Sequence, residues 1–273
     1  MTRRRRRMVA TIALAVGVLV LTGCSGDKPD SAPPPSPTSV PTAAPPPKAD
    51  TCHQLGYAAA ARATGGGKKV PCGQGHTAIT YYVGFYRPIQ DGHLLAVDST
   101  HVQAQLAEHC PAELAIYLGT DQENLRLSRL EAVWFGPSLK QTARGAHWFR
   151  CDVVAPMSED QLETLPGNLK GALADGDARD KWGICGSASP SKAGFTRVAC
   201  DQKHAWRAIR TVDITATRYL AKAATAAGNS TCKDAASMKA DGALKYTWSF
   251  QWPSKVEWNS GRRYGYCWIP DAN

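Results

Sequence analysis

The chain has 273 residues, 43% of them hydrophobic and 20% charged, with a formal net charge of +9. That composition excludes a wholly disordered chain and suits a folded, exported protein. Residues 1–23 hold five arginines and no acid, so much of the charge belongs to one short segment, and residues 51–273 carry +5. This remainder is long enough for one large core or for two cores of ordinary domain size.

Residues 3–7 are all arginine, and an apolar run over residues 8–21 follows. The run is shorter than the ~20 residues a bilayer span needs, and a basic segment before a short apolar one is the pattern of an export signal. It ends Leu21-Thr22-Gly23-Cys24, which resembles a bacterial lipobox: an apolar residue, two small ones, and a cysteine for lipid attachment. The plain alternative is an ordinary secretory signal with an incidental Cys24. The expectation is a signal peptide over 1–23, an acylated Cys24, and attachment to the outer face of the cell membrane through that lipid. Nine of the 18 prolines fall in residues 25–50, in Pro33-Pro34-Pro35 and Pro45-Pro46-Pro47 among Ser, Thr and Ala. No core forms from such a segment, and residues 24–50 read as a lipidated, extended stalk; a docking site for a proline-binding module is the sharper alternative.

Beyond Cys24 there are eight cysteines, at 52, 72, 110, 151, 185, 200, 232 and 267. An even number outside the cytoplasm implies disulfides. They form two sets with matching surroundings. Val70-Pro71-Cys72 is followed four residues on by His76, and Val198-Ala199-Cys200 four residues on by His204. Pro137-Ser138, Gly145 and Cys151 recur, at the same spacings, as Pro253-Ser254, Gly261 and Cys267. Aromatic residues precede the proline and the last cysteine in both sets. The chain therefore reads as a tandem duplication, with domains over 51–156 and 182–273 and a connecting segment over 157–181.

This combination resembles the septum formation domain of actinobacterial envelope proteins, over about residues 51–153 and 182–269. The resemblance implies a disulfide framework and a link to division, and it says little about chemistry. The first copy departs by an insertion over residues 86–92, the second by Gly228 inside a helical stretch.

In chain order, the β-branched and aromatic residues 77–85 predict a strand. Asp98-Ser99 caps a helix with Val102, Leu106, Cys110, Leu114 and Leu118 at four-residue spacing; Gly119 stops it, and Pro111 is expected to kink or restart it. Residues 130–135 and 147–154 pair as strands around a loop over 137–145. In the connecting segment, Ser158 and Gln161 suggest a capping box and a short helix, and three basic against six acidic residues suggest a solvated join. In the second copy a strand over 206–214 precedes helical pieces over 217–226 and 231–240, then paired strands over 245–252 and 263–269. Each copy is thus α+β, a small antiparallel sheet with one or two helices. Four cysteines allow three pairings. Cys52 with Cys72 and Cys110 with Cys151, and likewise Cys185 with Cys200 and Cys232 with Cys267, are favoured because the first pair flanks a hairpin and the second ties helix to final strand.

A thiolate and an imidazole four residues apart, Cys72 with His76 and Cys200 with His204, are the metal-ligand candidates. Disulfide pairing competes and no carboxylate cluster completes a site, so neither a metal nor a cofactor is expected, and the histidines read as closing a turn. There is no Gly-x-Ser-x-Gly or His-Glu-x-x-His. Gly65-Gly66-Gly67-Lys68 lacks the phosphate-loop spacing and reads as a hairpin tip. Asp98, Glu108, Glu113 and Asp121 are the candidate acids for glycan cleavage, no more numerous than in any extracellular domain.

Charge is unevenly placed. Residues 51–156 carry 9 basic and 8 acidic residues, residues 182–273 carry 13 and 6, and six of the eight tryptophans lie in the latter stretch. Basic and aromatic residues together suit anionic polymers of the envelope in preference to nucleic acid. The candidate polyanion-binding residues are Lys203, Arg207, Arg210, Lys255, Trp258, Arg262 and Arg263, with 203, 207 and 210 on the first strand, 203 and 207 sharing a face, and the others around the last loop; neutralising Arg262 and Arg263 is expected to spare the fold. The bland reading is that the tryptophans fill the core and the lysines keep the surface soluble. The functional expectation is a membrane-anchored, non-catalytic binding or scaffolding lipoprotein of the envelope, linked to septum formation, with an anionic wall polymer or a division protein as partner; an envelope-acting hydrolase is the rival.

Overall fold

Strand-forming runs separated by cysteines and glycines build two five-stranded sheets and one two-stranded hairpin in the computed structural model, which describes residues 42–157, 160–219, 224–259 and 261–271. The export signal, Cys24, the stalk as far as residue 41, Ser158 of the expected capping box and residues 220–223 lie outside the described residues. The first half runs β1 (Thr51–Gln54), α1 (Tyr57–Ala60), β2 (Lys68–Val70), β3 (Ala78–Phe85), β4 (Ile89–Gln90), β5 (His93–Leu94), α2 (Thr100–Leu118), α3 (Gln122–Arg126), β6 (Glu131–Phe135), α4 (Leu139–Thr142) and β7 (Trp148–Val154). Helix α5 (Gly176–Trp182) leads into the second half, with β8 (Ile184–Gly186), β9 (Arg197–Ala199), β10 (Trp206–Asp213), α6 (Ala224–Lys239), β11 (Ser249–Gln251), α7 (Lys255–Asn259) and β12 (Tyr264–Pro270).

Both halves carry the same five-stranded antiparallel sheet, ordered β2-β1-β3-β7-β6 in one and β9-β8-β10-β12-β11 in the other. The registers agree as well. Ile79 pairs with Cys52 and Val153, and Arg207 pairs with Cys185 and Ile269. The central pair of each sheet shifts register at the same place, after Thr80 and after Ala208. Four disulfides, Cys52–Cys72, Cys110–Cys151, Cys185–Cys200 and Cys232–Cys267, tie each half internally: one closes the first hairpin, the other bolts the long helix to the last strand. The fold is α+β.

Helix α2 buries Val102, Leu106, Cys110, Leu114 and Leu118, starts where the Ser99 side chain accepts from the Val102 amide, and ends at Gly119 with φ 72°. Pro111 neither ends nor restarts it. The lost N–H costs one helical bond, while the Cys110–Cys151 bridge and the Tyr81 hydroxyl, donating to the Cys110 carbonyl at 2.7 Å, hold the helix to the sheet at that point. In the second half, residues 217–219 of the first expected helical piece are not helical and residues 220–223 lie outside the described residues; the rest joins the second piece in one helix, Ala224–Lys239, that runs through Gly228. A Cβ there would stand 2.4 Å from the Phe250 ring, so the glycine is an accommodation for packing and not a break.

The connecting segment is not a solvated join. Leu165, Leu169 and Leu173, with Trp182 just beyond the segment, are buried in the first core beside Leu114 and Leu118, and the Leu165 and Leu173 amides donate to the His76 and Leu118 carbonyls. Glu163 pairs with the buried Arg129 at 2.8 Å, and leucines four apart, at 165, 169 and 173, carry the packing. The halves meet along residues 123–129. The Ile184 amide donates to the Leu127 carbonyl, the Arg129 amide to the Trp182 carbonyl, and Arg126 pairs with Asp213 at 2.7 Å.

Candidate ligand-binding face

The motif histidines close turns. His76 Nδ1 faces the Gln74 carbonyl at 2.8 Å and Nε2 the Pro166 carbonyl at 3.1 Å; His204 Nδ1 faces the Gln202 carbonyl at 2.7 Å. Cys185, His204 and the Asp271 carboxylate converge in the second half. The Cys185 sulfur is bonded to Cys200, so it supplies no thiolate, and Asp271 is bound by Arg207. Burial alone would raise the Asp271 carboxyl; the Arg207 bond, with His204 at 3.5 Å, holds it below the usual range.

A buried polar cluster lies on the side of the first sheet away from α2, and sequence reading missed it. The Thr80 hydroxyl donates to Asp152 at 2.7 Å, Arg150 pairs with Asp152 at 3.0 Å and donates to His53 Nε2 at 2.9 Å, and Arg150 also donates to the Gly66 carbonyl. Burial pushes the Asp152 carboxyl up to about 6 against the pull of Arg150 and Thr80. Burial, and then the charge of Arg150, pushes His53 down to about 4. Gly66, at φ 66°, lies so close that a Cβ would stand 2.0 Å from the Arg150 guanidinium. The triglycine is therefore a cover over Arg150. Asp152 and Thr80 are 0% exposed, so this acid–base set meets no ligand. Polar residues alternating with Phe149, Cys151 and Val153 read as a solvent face, which is why they escaped notice.

The candidate cations of the second half do not form one patch. Strand β10 begins at Trp206, so Lys203 sits in the turn before it and shares no strand face with Arg207. Because β10 and β12 are antiparallel, with Trp206 opposite Pro270 and Asp213 opposite Tyr264, Lys203 and Arg207 lie at one end of the sheet and Arg262 and Arg263 at the other. Arg207 is bound to Asp180 and Asp271, Arg262 to Glu257, and Arg210 lies 3.8 Å from Glu123. The Arg262 side chain is 18% exposed, so removing it disturbs packing as well as charge.

Among the described residues Lys203, Lys255 and Arg263 have no carboxylate partner. Lys255 opens α7, and at that corner Arg263 meets an aromatic group. Arg263 lies 4.0 Å from the Trp258 ring centroid, and the buried Trp258 stacks on Trp252 at 6.0 Å. The Trp252 indole N–H finds no partner among the described residues. Beside this corner Arg126, Tyr264, Arg262, Tyr266 and Arg197 alternate as stacked cations and rings, with centroid distances of 4.5, 5.7, 5.6 and 5.0 Å. Arg197 pairs with Glu257 at 2.7 Å; burial alone would raise that carboxyl, but Arg197 and Arg262 hold it low. Trp182, Trp258 and Trp268 are buried and serve as core. Arg126 and Arg197 were not legible as site residues, although the alternation Tyr264-x-Tyr266-x-Trp268 does announce one aromatic face of β12.

Asp98 lies in the turn before α2, Glu108 and Glu113 are spaced along α2, which rises about 1.5 Å per residue, and Asp121 caps α3 by accepting from the Asn124 amide. They do not form a carboxylate pair. What the surface does offer is a cation–aromatic corner, suited to an anionic or sugar-bearing polymer.

No curated protein and no solved structure matches the chain. A family profile described as septum formation matches residues 49–267 as one stretch, taking in both halves and all eight disulfide cysteines. Since that stretch is most of the chain, the protein belongs to the septum formation family.

Proposed function

We propose that this protein is a lipid-anchored, extracytoplasmic, non-catalytic binding or scaffolding module of the cell envelope that acts in septum formation. Family membership supports the role in division and the envelope. The observation that carries the anchored, exported part is Cys24 at the end of a basic-then-apolar segment, ahead of eight cysteines that are all paired. The partner proposed is an anionic wall polymer, met at the α7 corner by Lys255 and Arg263 over the Trp252–Trp258 stack. The fixed pairings of Arg197, Arg207 and Arg262 leave those cations as structure and the corner as the available surface.

Two measurements test this. Growth with a traceable fatty acid labels the wild-type chain and not Cys24→Ala; labelling of the variant contradicts the anchor. Isolated cell wall retains the wild-type protein at low salt and releases it as salt rises, and Lys255→Gln with Arg263→Gln weakens retention roughly tenfold, as loss of two phosphate-facing cations should. Equal retention of the variant contradicts the corner. Clearing of cell-wall material in a zymogram favours the hydrolase instead.

A further inference from the structure

The first half carries an addition with no counterpart among the described residues of the second, the β4–β5 hairpin. Asp91 and Gly92 both have positive φ, 51° and 79°, the two-residue turn that matches strand twist. Ile89 pairs across the hairpin with Leu94, and the two are 64% and 65% exposed, with Phe85 at its base 63% exposed. Three large apolar side chains held in water by a defined turn need a reason.

Their position supplies one. From Thr51, which pairs with Thr80, the chain runs back along β3 with the Asp50 amide donating to the Thr80 carbonyl, and it reaches Ala43 beside Gly145. Gly145 leads to His147, whose ring is 5.3 Å from Phe85 and whose carbonyl accepts from the Tyr86 amide. The N-terminal tether therefore enters the fold at the end that bears the hairpin. Arg87 on the hairpin, with Lys140 and Arg144 on the α4 turn that leads into Gly145, have no carboxylate partner among the described residues. Apolar side chains flanked by cations, at the end where the described chain leaves in the direction of Cys24 along the sequence, fit one surface: the interface of a bilayer with anionic headgroups.

We infer that the β4–β5 hairpin, with Phe85 at its base, is a second membrane contact, inserting Ile89 and Leu94 into the interface of an anionic bilayer while Arg87, Lys140 and Arg144 meet headgroup phosphates. This rests on the anchored reading for the direction from which the bilayer comes.

The test uses the full-length protein, purified from its membrane and reconstituted in phosphatidylglycerol–phosphatidylcholine vesicles that carry a photoactivatable acyl chain. Mass spectrometry of the peptides is expected to place lipid adducts on residues 86–95. Ile89→Glu with Leu94→Glu should lower those adducts about tenfold, and phosphatidylcholine alone should lower them in the wild type. Both substitutions are at exposed positions, and an unchanged melting temperature checks the fold. Absence of adducts on the wild-type hairpin, equal labelling of the variant, or hairpin-to-hairpin protein crosslinks would overturn the inference. The mass of the N-terminal peptide reports acylation separately. An acylated chain with an unlabelled hairpin overturns this inference alone, and an unacylated chain whose hairpin is labelled overturns the anchor alone.

Discussion

The two halves share strand order, register, bulge and disulfides, yet differ on the sheet face away from the long helix. Where the first has His53, Thr80, Arg150 and Asp152, the second has Gly186, Ala208, Tyr266 and Trp268 at the matching register positions. One face is a sealed charge cluster under a triglycine cover; the other is packed by rings, with Phe195 edge-on to Trp268 at 5.3 Å. A framework set by cysteines and strand register thus tolerates opposite solutions for the same interior. In the polar one every group depends on its partner, whereas in the aromatic one area and shape decide.

The largest effects should come from the matched pair Asp152 and Trp268. Asp152→Ala leaves Arg150 buried without its carboxylate and should destabilise by about 3–5 kcal/mol, while Asp152→Leu with Arg150→Met should recover most of that loss. Trp268→Ala, which opens a cavity, should cost a similar ~3–5 kcal/mol with no such rescue. Urea unfolding reads all three, and a double variant as unstable as the single one would break the contrast. Replacing Cys232 and Cys267 by alanine should remove about 2–4 kcal/mol, since the bridge spans 35 residues, and Cys110 with Cys151 should behave alike if the framework is shared. Gly66→Ala should cost more than Gly186→Ala. The first meets both a positive φ and a guanidinium fixed by Asp152; the second meets the Phe195 ring at 2.5 Å but has no positive φ. About 1–3 kcal/mol is expected for the first.

The smallest effect concerns pH and sharpens the comparison most. The raised Asp152 favours folding at low pH, and that contribution is lost as pH climbs from its ordinary value of 3.8 through about 6. The lowered His53 works the other way: its contribution is present above 6.5 and is lost as pH falls through about 4. The two oppose each other over one window, so wild-type stability should change little there. His53→Gln should make the protein gain stability as pH falls from about 6 toward 4, and Asp152→Asn should make it lose stability over the same range. Denaturant midpoints against pH check both slopes.

The framework was legible because cysteine, proline and glycine mark covalent and backbone constraints that survive in any packing. Strand β3, helix α2 and the pairings of all eight cysteines could be read that way. Burial was not legible wherever local pattern and tertiary cover disagree. Arg150 and Asp152 alternate like a solvent face until the 65–67 loop seals them, and Leu165, Leu169 and Leu173 sit among acids that hide their role. The cation patch failed for a topological reason: antiparallel pairing of β10 and β12 sends residues 203 and 263 to opposite ends of one sheet.

The central claim, an envelope protein of septum formation held by its N-terminal lipid, is tested most directly by following the full-length protein, tagged with a fluorophore that matures after export, through division in wild-type and Cys24→Ala forms. The account predicts a band at the forming septum for the wild type and loss of that band in the variant. A wild-type signal spread evenly around the cell, or an undiminished septal band in Cys24→Ala, would contradict it.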